Sequence, residues 1–312
     1  MATGKIVILG IGGRGCAALQ RLAMSELPDT VTTMIVSADK RALSSTAADC
    51  SILLGESQTG GRSTGGNATL AAQAVQQVAD LLRQAFAGAD AVFMVTGLGG
   101  GTGSGAATAI AALLAELRIP CLVFATLPFD FEGKRKALLA ENSIKLFQQH
   151  CCAVVLLPND QLQKALGAKA RLEDALDESN RLLLQLLLSL CRMLADSGLI
   201  NMDFNDFVSV ISQPGIAVVG CAAAQKGDDL PMLLQQQLQN PLLQSKRVES
   251  ASSVLVHLTA GPDFSLEQFE ATGLHLAQAL PKASLILQGL SIEPDYTDEL
   301  ELLLLVCGIV VD

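Results

Sequence analysis

Two stretches of the sequence combine residue types that can bind or attack a phosphate group. The first, GLGGGTGSG at Gly97–Gly105, holds six glycines in nine residues. The apolar residues before it predict a buried strand, and AATAIAALLAEL after it predicts a helix. A glycine-rich turn at a helix N-terminus presents backbone N–H groups and the positive end of the helix dipole. We therefore expect a phosphate site, to which the hydroxyls of Thr102 and Ser104 add hydrogen bonds.

The second stretch is NMDFND, which contains Asn201, Asp203 and Asp206. Two carboxylates three residues apart share one face if a helix begins there. The residue types alone favour helix capping, which Asp and Asn at a helix start commonly perform. The alternative is that these groups orient and polarise a water for attack on a phosphate.

A further glycine motif, GIGGRG at Gly10–Gly15, follows the first apolar run. With Asp39 at the end of the next predicted strand it fits the fingerprint of a dinucleotide-binding fold, and an NAD-dependent oxidoreductase is one hypothesis. Tight packing of a helix on a strand explains the same glycines. Two glycine loops at one sheet edge favour a polyphosphate held from two sides. No Lys-Ser/Thr pair follows the glycines, so neither loop is a P-loop.

The elements that position these loops alternate between strand and helix. Apolar runs at KIVILG, VTTMIVSAD, PCLVFATLP and CCAVVLLPN predict strands, and a single helix is predicted at TLAAQAVQQVADLLRQAF. Near-continuous apolar strands between helices indicate a parallel sheet covered by helices. After a long apolar helix, further strands are predicted at SSVLVHLTAG, ASLILQGLSI and DELELLLLVCGIVVD. A helix beginning at Ser265, with a capping box to Gln268, lies between the first two.

Composition limits the classes of function. The chain has 312 residues, half of them apolar, and a net charge of −10, which argues against nucleic-acid binding through a basic face. Eight scattered cysteines and three separated histidines predict reduced thiols and no metal site. The N-terminus lacks a signal pattern, and the apolar run 181–198 is interrupted and short for a bilayer. We expect a cytoplasmic protein without direct membrane contact.

Several motifs resemble the tubulin/FtsZ family. GGGTGSG at Gly99–Gly105 is similar to the family signature, PFDFEGKRK at 128–136 to its sugar-contacting loop, and PND at 158–160 to the following loop. GLINMDFNDF at 198–207 resembles the synergy loop of FtsZ, and the segments at 254–270 and 293–300 resemble its C-terminal domain. The similarity covers essentially the whole chain in order.

This resemblance implies an α/β fold with three parts. They are a parallel-sheet nucleotide-binding domain at 1–173, a long central helix at 174–196 and a smaller α+β activation domain at 197–312. It also implies GTP or GDP as ligand, Mg²⁺ held through the phosphates, and head-to-tail filaments in which the synergy loop of one subunit completes the GTPase site of the next. The catalytic residues would be Asn201, Asp203 and Asp206. The nucleotide-binding residues would be Gly12, Gly13, Arg14, Gly99, Gly100, Gly101, Thr102, Gly103, Ser104, Glu132, Lys136, Asn159, Asn180 and Arg181.

The sequence also departs from the family pattern. Arg14 and Cys16 occupy glycine positions of the first loop, where Arg14 would either pair with a phosphate or fill the phosphate site itself. Arg181 stands where the family has the Asp that reads guanine, and a guanidinium has no acceptor for the donors of that base. The chain ends at Asp312 without the family's flexible tail. These departures indicate a divergent relative of the main division protein.

Two hypotheses follow from the resemblance. The first is a self-assembling GTPase, favoured by the intact GGGTGSG and NMDFND motifs. The second is a pseudo-GTPase that polymerises, or modulates filaments of a full-length FtsZ, without nucleotide turnover. Arg14, Arg181 and Ala17, which stands where the first loop of the family ends in Asn, favour the second. Both predict self-association, with a full-length family member as a further partner.

Overall fold

The computed structural model describes residues 4–150, 153–160, 167, 171–195, 198–213, 215–225, 228–238, 248–296 and 299–309. The chain forms two compact units, Met1–Leu184 and Gln185–Asp312. The boundary between them falls inside one long helix, Leu172–Ala195.

The first unit contains a parallel sheet of six strands in the order β3-β2-β1-β4-β5-β6. All five strand pairs are parallel, as the alternation of strands and helices predicts. The strands are β1 Ile6–Ile11, β2 Val31–Ser37, β3 Cys50–Leu53, β4 Ala91–Gly97, β5 Cys121–Leu127 and β6 Ala153–Pro158. The sequence analysis did not predict β3, which has only four residues.

The helices of this unit pack on the sheet, in which the apolar strands β1, β4 and β5 are buried along almost their whole length. They are α1 Gly12–Leu22, α2 Lys40–Ser44, α3 Glu56–Thr59, α4 Ala68–Gln77, α5 Ala79–Ala85, α6 Ala107–Glu116 and α7 Lys134–His150, followed by α8 Leu172–Ala195. The single helix predicted at 69–86 is wrong, because the chain breaks at Val78 into α4 and α5. Both halves place apolar side chains in the same core, so the hydrophobic period continues across the break.

The second unit has a mixed sheet of four strands in the order β7-β10-β8-β9. β10 pairs antiparallel with β7 and β8, whereas β8 and β9 are parallel. The strands are β7 Ile216–Gln225, β8 Ser253–Ala260, β9 Leu285–Ile292 and β10 Glu299–Ile309, and the helices are α9 Phe204–Ile211, α10 Leu230–Leu238 and α11 Leu266–Ala279. The sequence analysis missed β7, whose small residues Gly220 and Ala222–Ala224 give a weak strand signal.

Candidate functional site

The two glycine loops lie side by side in the first unit. β1 and β4 are parallel neighbours, with Ile11 opposite Thr96, so their carboxyl ends open at the same edge. The strand order reverses direction between this pair, which is where ligands bind in open α/β sheets. Gly12 has φ +69°, and a Cβ there would lie 3.3 Å from the backbone nitrogen of Gly103. The loops therefore touch, as expected for two loops around one ligand.

The glycines of these loops divide into two groups. Most are required for packing. A Cβ on Gly15 would lie 2.6 Å from the carbonyl oxygen of Val95, and one on Gly101, Gly103 or Gly105 would overlap neighbouring oxygens. In contrast, a Cβ on Gly13 or Gly100 would meet no protein atom within 4 Å. Gly13 and Gly100 are thus the glycines that border open space, where a ligand can approach the backbone.

The two hydroxyls of the second loop are engaged within the protein. Ser104 Oγ accepts a hydrogen bond from the Gly99 N–H at 3.0 Å, and Thr102 Oγ1 lies 3.4 Å from Thr64 Oγ1. Residues Thr102–Ala106 form a π-helical turn, a form that recurs at functional sites. Thr64, which stands among four glycines at positions 60–66, was not among the predicted site residues. Ser104 thus stabilises the loop itself.

Arg14 brings a positive charge to this edge. Its Nη2 is buried and has no hydrogen-bond partner among the described residues. Burial lowers the pKa of Arg14, and the nearby Arg21 charge lowers it further, against a smaller opposite effect of Glu132. A buried N–H without an acceptor is costly, and a phosphate oxygen is the acceptor that best suits a guanidinium. The residues at this edge therefore fit a phosphate group.

The predicted sugar-contacting loop is held by a short hydrogen-bonded network. Glu132 accepts from the Phe129 N–H at 2.9 Å and from Lys136 Nζ at 2.6 Å. Burial raises the pKa of Glu132, but these two hydrogen bonds and the positive charges of Lys136 and Arg14 outweigh it, so the pKa is lowered. A Cβ on Gly99 would lie 3.0 Å from Lys136 Cβ, which brings this loop against the glycine loop.

The residues predicted to read the base have different environments. Asn159 and Asn180 are only 6% and 8% exposed, and Asn159 Oδ1 is buried without a hydrogen-bond partner among the described residues. Arg181 has a side chain that is 63% exposed and donates to both carboxylate oxygens of Glu178, at 2.8 and 2.6 Å. This pair raises the pKa of Arg181 and lowers that of Glu178. The sequence analysis did not predict a role for Glu178. Its i,i+3 spacing from Arg181 on one helix is the sequence signal for this ion pair.

The predicted catalytic residues lie in the second unit. Asn201, Asp203 and Asp206 are all exposed. Asp203 occupies the N-cap position of α9, but its side chain makes no capping hydrogen bond, so the capping interpretation is wrong for Asp203. Asp206 lies in the first turn of the same helix. The two carboxylates therefore project from one exposed helix start.

Two other sequence features have structural roles. Asp39 accepts from the Arg41 N–H at 2.9 Å and caps α2. The carboxylate that the NAD hypothesis assigns to a ribose is therefore used as a helix cap. Cys16 is buried, and burial raises the pKa of its thiol to about 11. In the part of the chain that the structure describes, every helix is too short or too polar to cross a bilayer.

Comparisons with known proteins bear on the whole chain. Residues 5–167 match the Tubulin/FtsZ family GTPase domain, and residues 215–310 match the FtsZ family C-terminal domain. The chain is 33% identical over 307 residues to the cell division protein FtsZ of Wigglesworthia glossinidia brevipalpis, covering 98% of this chain and 80% of that protein. It is 32% identical over 305 residues to FtsZ of Coxiella burnetii, covering 98% and 79%.

Solved structures give the same result for the fold. The structure of an empty FtsZ dimer of M. jannaschii superposes with a TM-score of 0.88 at 28% identity, covering 98% of this chain and 88% of that one. A GTPγS-bound protofilament of CetZ2 from Haloferax volcanii has a TM-score of 0.81 at 22% identity, covering 98% and 93%. At that identity the second likeness concerns the fold alone.

Proposed function

The chain belongs to the tubulin/FtsZ family, and from this we propose that it binds a guanine nucleotide and assembles head to tail into filaments that hydrolyse GTP. The observation that carries the proposal is the edge between β1 and β4. There Gly13 and Gly100 border open space, and the buried Nη2 of Arg14 lacks an acceptor among the described residues. A polyphosphate would supply that acceptor and would also accept from the backbone N–H groups of both loops.

Different residues of the chain would bind the phosphates, the sugar and the base of the nucleotide. GTP, when bound, supplies the phosphoanhydride bond that is broken. Backbone N–H groups near Gly13 and Gly100, with Arg14, would hold the phosphates, and Mg²⁺ would be carried on the phosphates and water. Glu132 and Lys136 would border the sugar, and Asn159 and Asn180 the base.

Asp203 and Asp206 would act on the nucleotide of a neighbouring copy. Both carboxylates are exposed at the start of α9, and Asp203 is not used as a helix cap. A carboxylate that a second subunit brings to the γ-phosphate can orient and polarise a water for in-line attack. Hydrolysis would then require assembly, which links nucleotide state to the polymer.

A second candidate function is a pseudo-GTPase that forms filaments, or modulates those of a full-length FtsZ, without turnover. The Arg181–Glu178 pair favours it, because the guanidinium donors face a carboxylate of their own helix and Arg181 has no acceptor for guanine. Titration calorimetry of nucleotide-free protein with GTP, GDP and ATP in Mg²⁺ tests binding. Tight guanine-selective binding supports the first function, and absence of binding supports the second.

The test of catalysis is the pair of variants Asp203→Ala and Asp206→Ala. We expect each to keep GTP binding and sedimentable assembly while GTP turnover falls at least about 100-fold, as for loss of a water-positioning group. Glu267→Ala is the matched control, because Glu267 is an exposed carboxylate in the first turn of α11 in the same unit. Normal hydrolysis by either aspartate variant would refute the assignment to that residue.

A further inference from the structure

A buried histidine lies beneath the segment that carries the exposed carboxylates. His257 stands in the middle of β8 and is 7% exposed. Its neighbours Val256 and Leu258 point into the core under α10 and α11, so His257 faces the opposite side of the sheet. Ser253, on the same side as His257, donates from Oγ to the carbonyl oxygen of Val210 in α9. His257 therefore lies on the face that α9 covers.

The imidazole is tied to the strand on which this segment rests. His257 Nε2 lies 3.1 Å from Ser291 Oγ, and Ser291 is buried on β9. The preceding residue, Leu290, exchanges two backbone hydrogen bonds of 3.0 Å with Ile200. A Cβ on Gly198 would lie 2.9 Å from Ser291 Oγ. The segment Gly198–Ile200, which ends three residues before Asp203, is thus packed directly against Ser291 and Leu290.

The other ring nitrogen lies against Gly289, the residue before Leu290. His257 Nδ1 is buried without a hydrogen-bond partner among the described residues. A Cβ on Gly289 would lie 2.6 Å from that nitrogen and 3.5 Å from the carbonyl oxygen of Ile200. Glycine at position 289 therefore leaves room for the imidazole beside the carbonyl of Ile200.

The protonation state of the ring is compatible with this arrangement. Burial lowers the pKa of His257 to about 4, so the ring is neutral near pH 7 and has one donor and one acceptor nitrogen. Nε2 pairs with the Ser291 hydroxyl, which can donate to it or accept from it according to the ring tautomer.

We propose that His257 is a positioning residue that, with Ser291, holds the segment Gly198–Ile200 on β9 and thereby fixes where Asp203 projects. This inference rests on the proposed function only for its catalytic consequence. The structural consequence, a segment held by the His257–Ser291 pair, stands independently. His257 itself touches no reacting atom and acts through the backbone that leads to Asp203.

The test uses the full chain with His257→Leu, Ser291→Ala and Ser291→Thr, the last of which retains the hydroxyl. His275→Leu is the matched control, since His275 lies on α11, on the other side of the sheet. Amide hydrogen exchange of residues 198–203 is measured without nucleotide. GTP affinity is then measured for the unassembled chain, and GTP turnover for the assembled chain.

We expect exchange in residues 198–203 to rise about tenfold in His257→Leu and Ser291→Ala, but not in Ser291→Thr or His275→Leu. GTP affinity should stay unchanged, while turnover falls about 10- to 100-fold in the same two variants. If His257→Leu does not fold, Ser291→Ala, which removes a single oxygen, decides the question.

Three results would overturn the proposal: unchanged exchange in residues 198–203, an equal rise across the whole second unit, or faster exchange with normal turnover. Absence of turnover in the unsubstituted chain would instead count against the proposed function. The exchange measurement would still decide whether His257 holds the segment.

Discussion

The roles of the individual glycines in the two loops follow from what surrounds each Cα. Gly101 and Gly13 belong to similar sequence motifs, but a Cβ on Gly101 would overlap Thr64 Oγ1, whereas one on Gly13 meets no protein atom within 4 Å. Loss of nucleotide binding in a Gly101 variant would therefore have two explanations. A Gly13 variant avoids this ambiguity, because a side chain at position 13 would contact a ligand in the site but no neighbouring protein atom.

We predict that Gly13→Val lowers GTP affinity about tenfold or more, because the valine side chain displaces a phosphate group from its backbone N–H donors. A hydrogen bond to a charged group contributes about 1.5–3 kcal/mol to binding. Its thermal stability should not fall, since Gly is the poorer residue within a helix. Calorimetric titration and thermal unfolding of the same preparation measure both quantities. Gly101→Val should lose stability, and unchanged affinity in Gly13→Val would remove the first loop from the site.

Arg181 is the residue at which a substitution should change selectivity for the base. In Arg181→Asp a carboxylate replaces the guanidinium and can accept from guanine N1–H and its amino group. We expect the ratio of GTP to ATP affinity to rise about tenfold or more. Glu178→Gln is the control, because it weakens the ion pair without placing a carboxylate at position 181. An unchanged ratio in Arg181→Asp would show that position 181 lies outside the base pocket.

Among the structural elements, the start of α11 was predictable from sequence, whereas the break between α4 and α5 was not. Ser265 and Gln268 form the predicted capping box at the start of α11, which confirms that expectation. Val78 interrupts a continuous apolar pattern with neither glycine nor proline to mark the break. A cap depends on residues close in sequence, whereas the residues around Val78 carry no local signal for this break.

The capping box gives a prediction for the stability of α11. Ser265 Oγ accepts from the Gln268 N–H at 3.2 Å, and Gln268 Oε1 accepts from the Ser265 N–H at 3.0 Å. Ser265→Ala should lower the free energy of unfolding by about 1 kcal/mol. Urea denaturation measures this change, with Ser57→Ala as a control, because Ser57 is an exposed serine in the short helix α3. If Ser265→Ala is as stable as the parent, hydrogen bonds to water compensate for the lost capping hydrogen bond, and the prediction is wrong.

For the whole molecule, the buried neutral imidazole of His257 links stability to pH. Burial lowers its pKa in the folded state to about 4, whereas an unfolded histidine titrates near pH 6.5. Between these values the unfolded chain binds the extra proton, so stability falls as the pH decreases from about 6.5 to about 4. The loss from this group amounts to about 3 kcal/mol.

Urea unfolding at pH 7 and pH 4.5 tests this dependence. His257→Leu should be less stable than the parent at pH 7, and the difference should shrink at pH 4.5, because the variant has no imidazole to titrate. A difference that is the same at both pH values would show that His257 does not contribute to the acid sensitivity of the fold.

The sequence by itself determined the family, the parallel sheet, the positions of both glycine loops and the presence of two carboxylates at a helix start. These features depend on local backbone requirements, hydrophobic period and motifs that are contiguous in the chain. Only the tertiary structure decided which glycines border open space, that Arg14 Nη2 lacks an acceptor among the described residues, and that His257 and Ser291 support the segment before Asp203. Each of these depends on atoms that lie within a few ångströms in space but far apart along the chain, which a pattern of neighbouring residues does not encode.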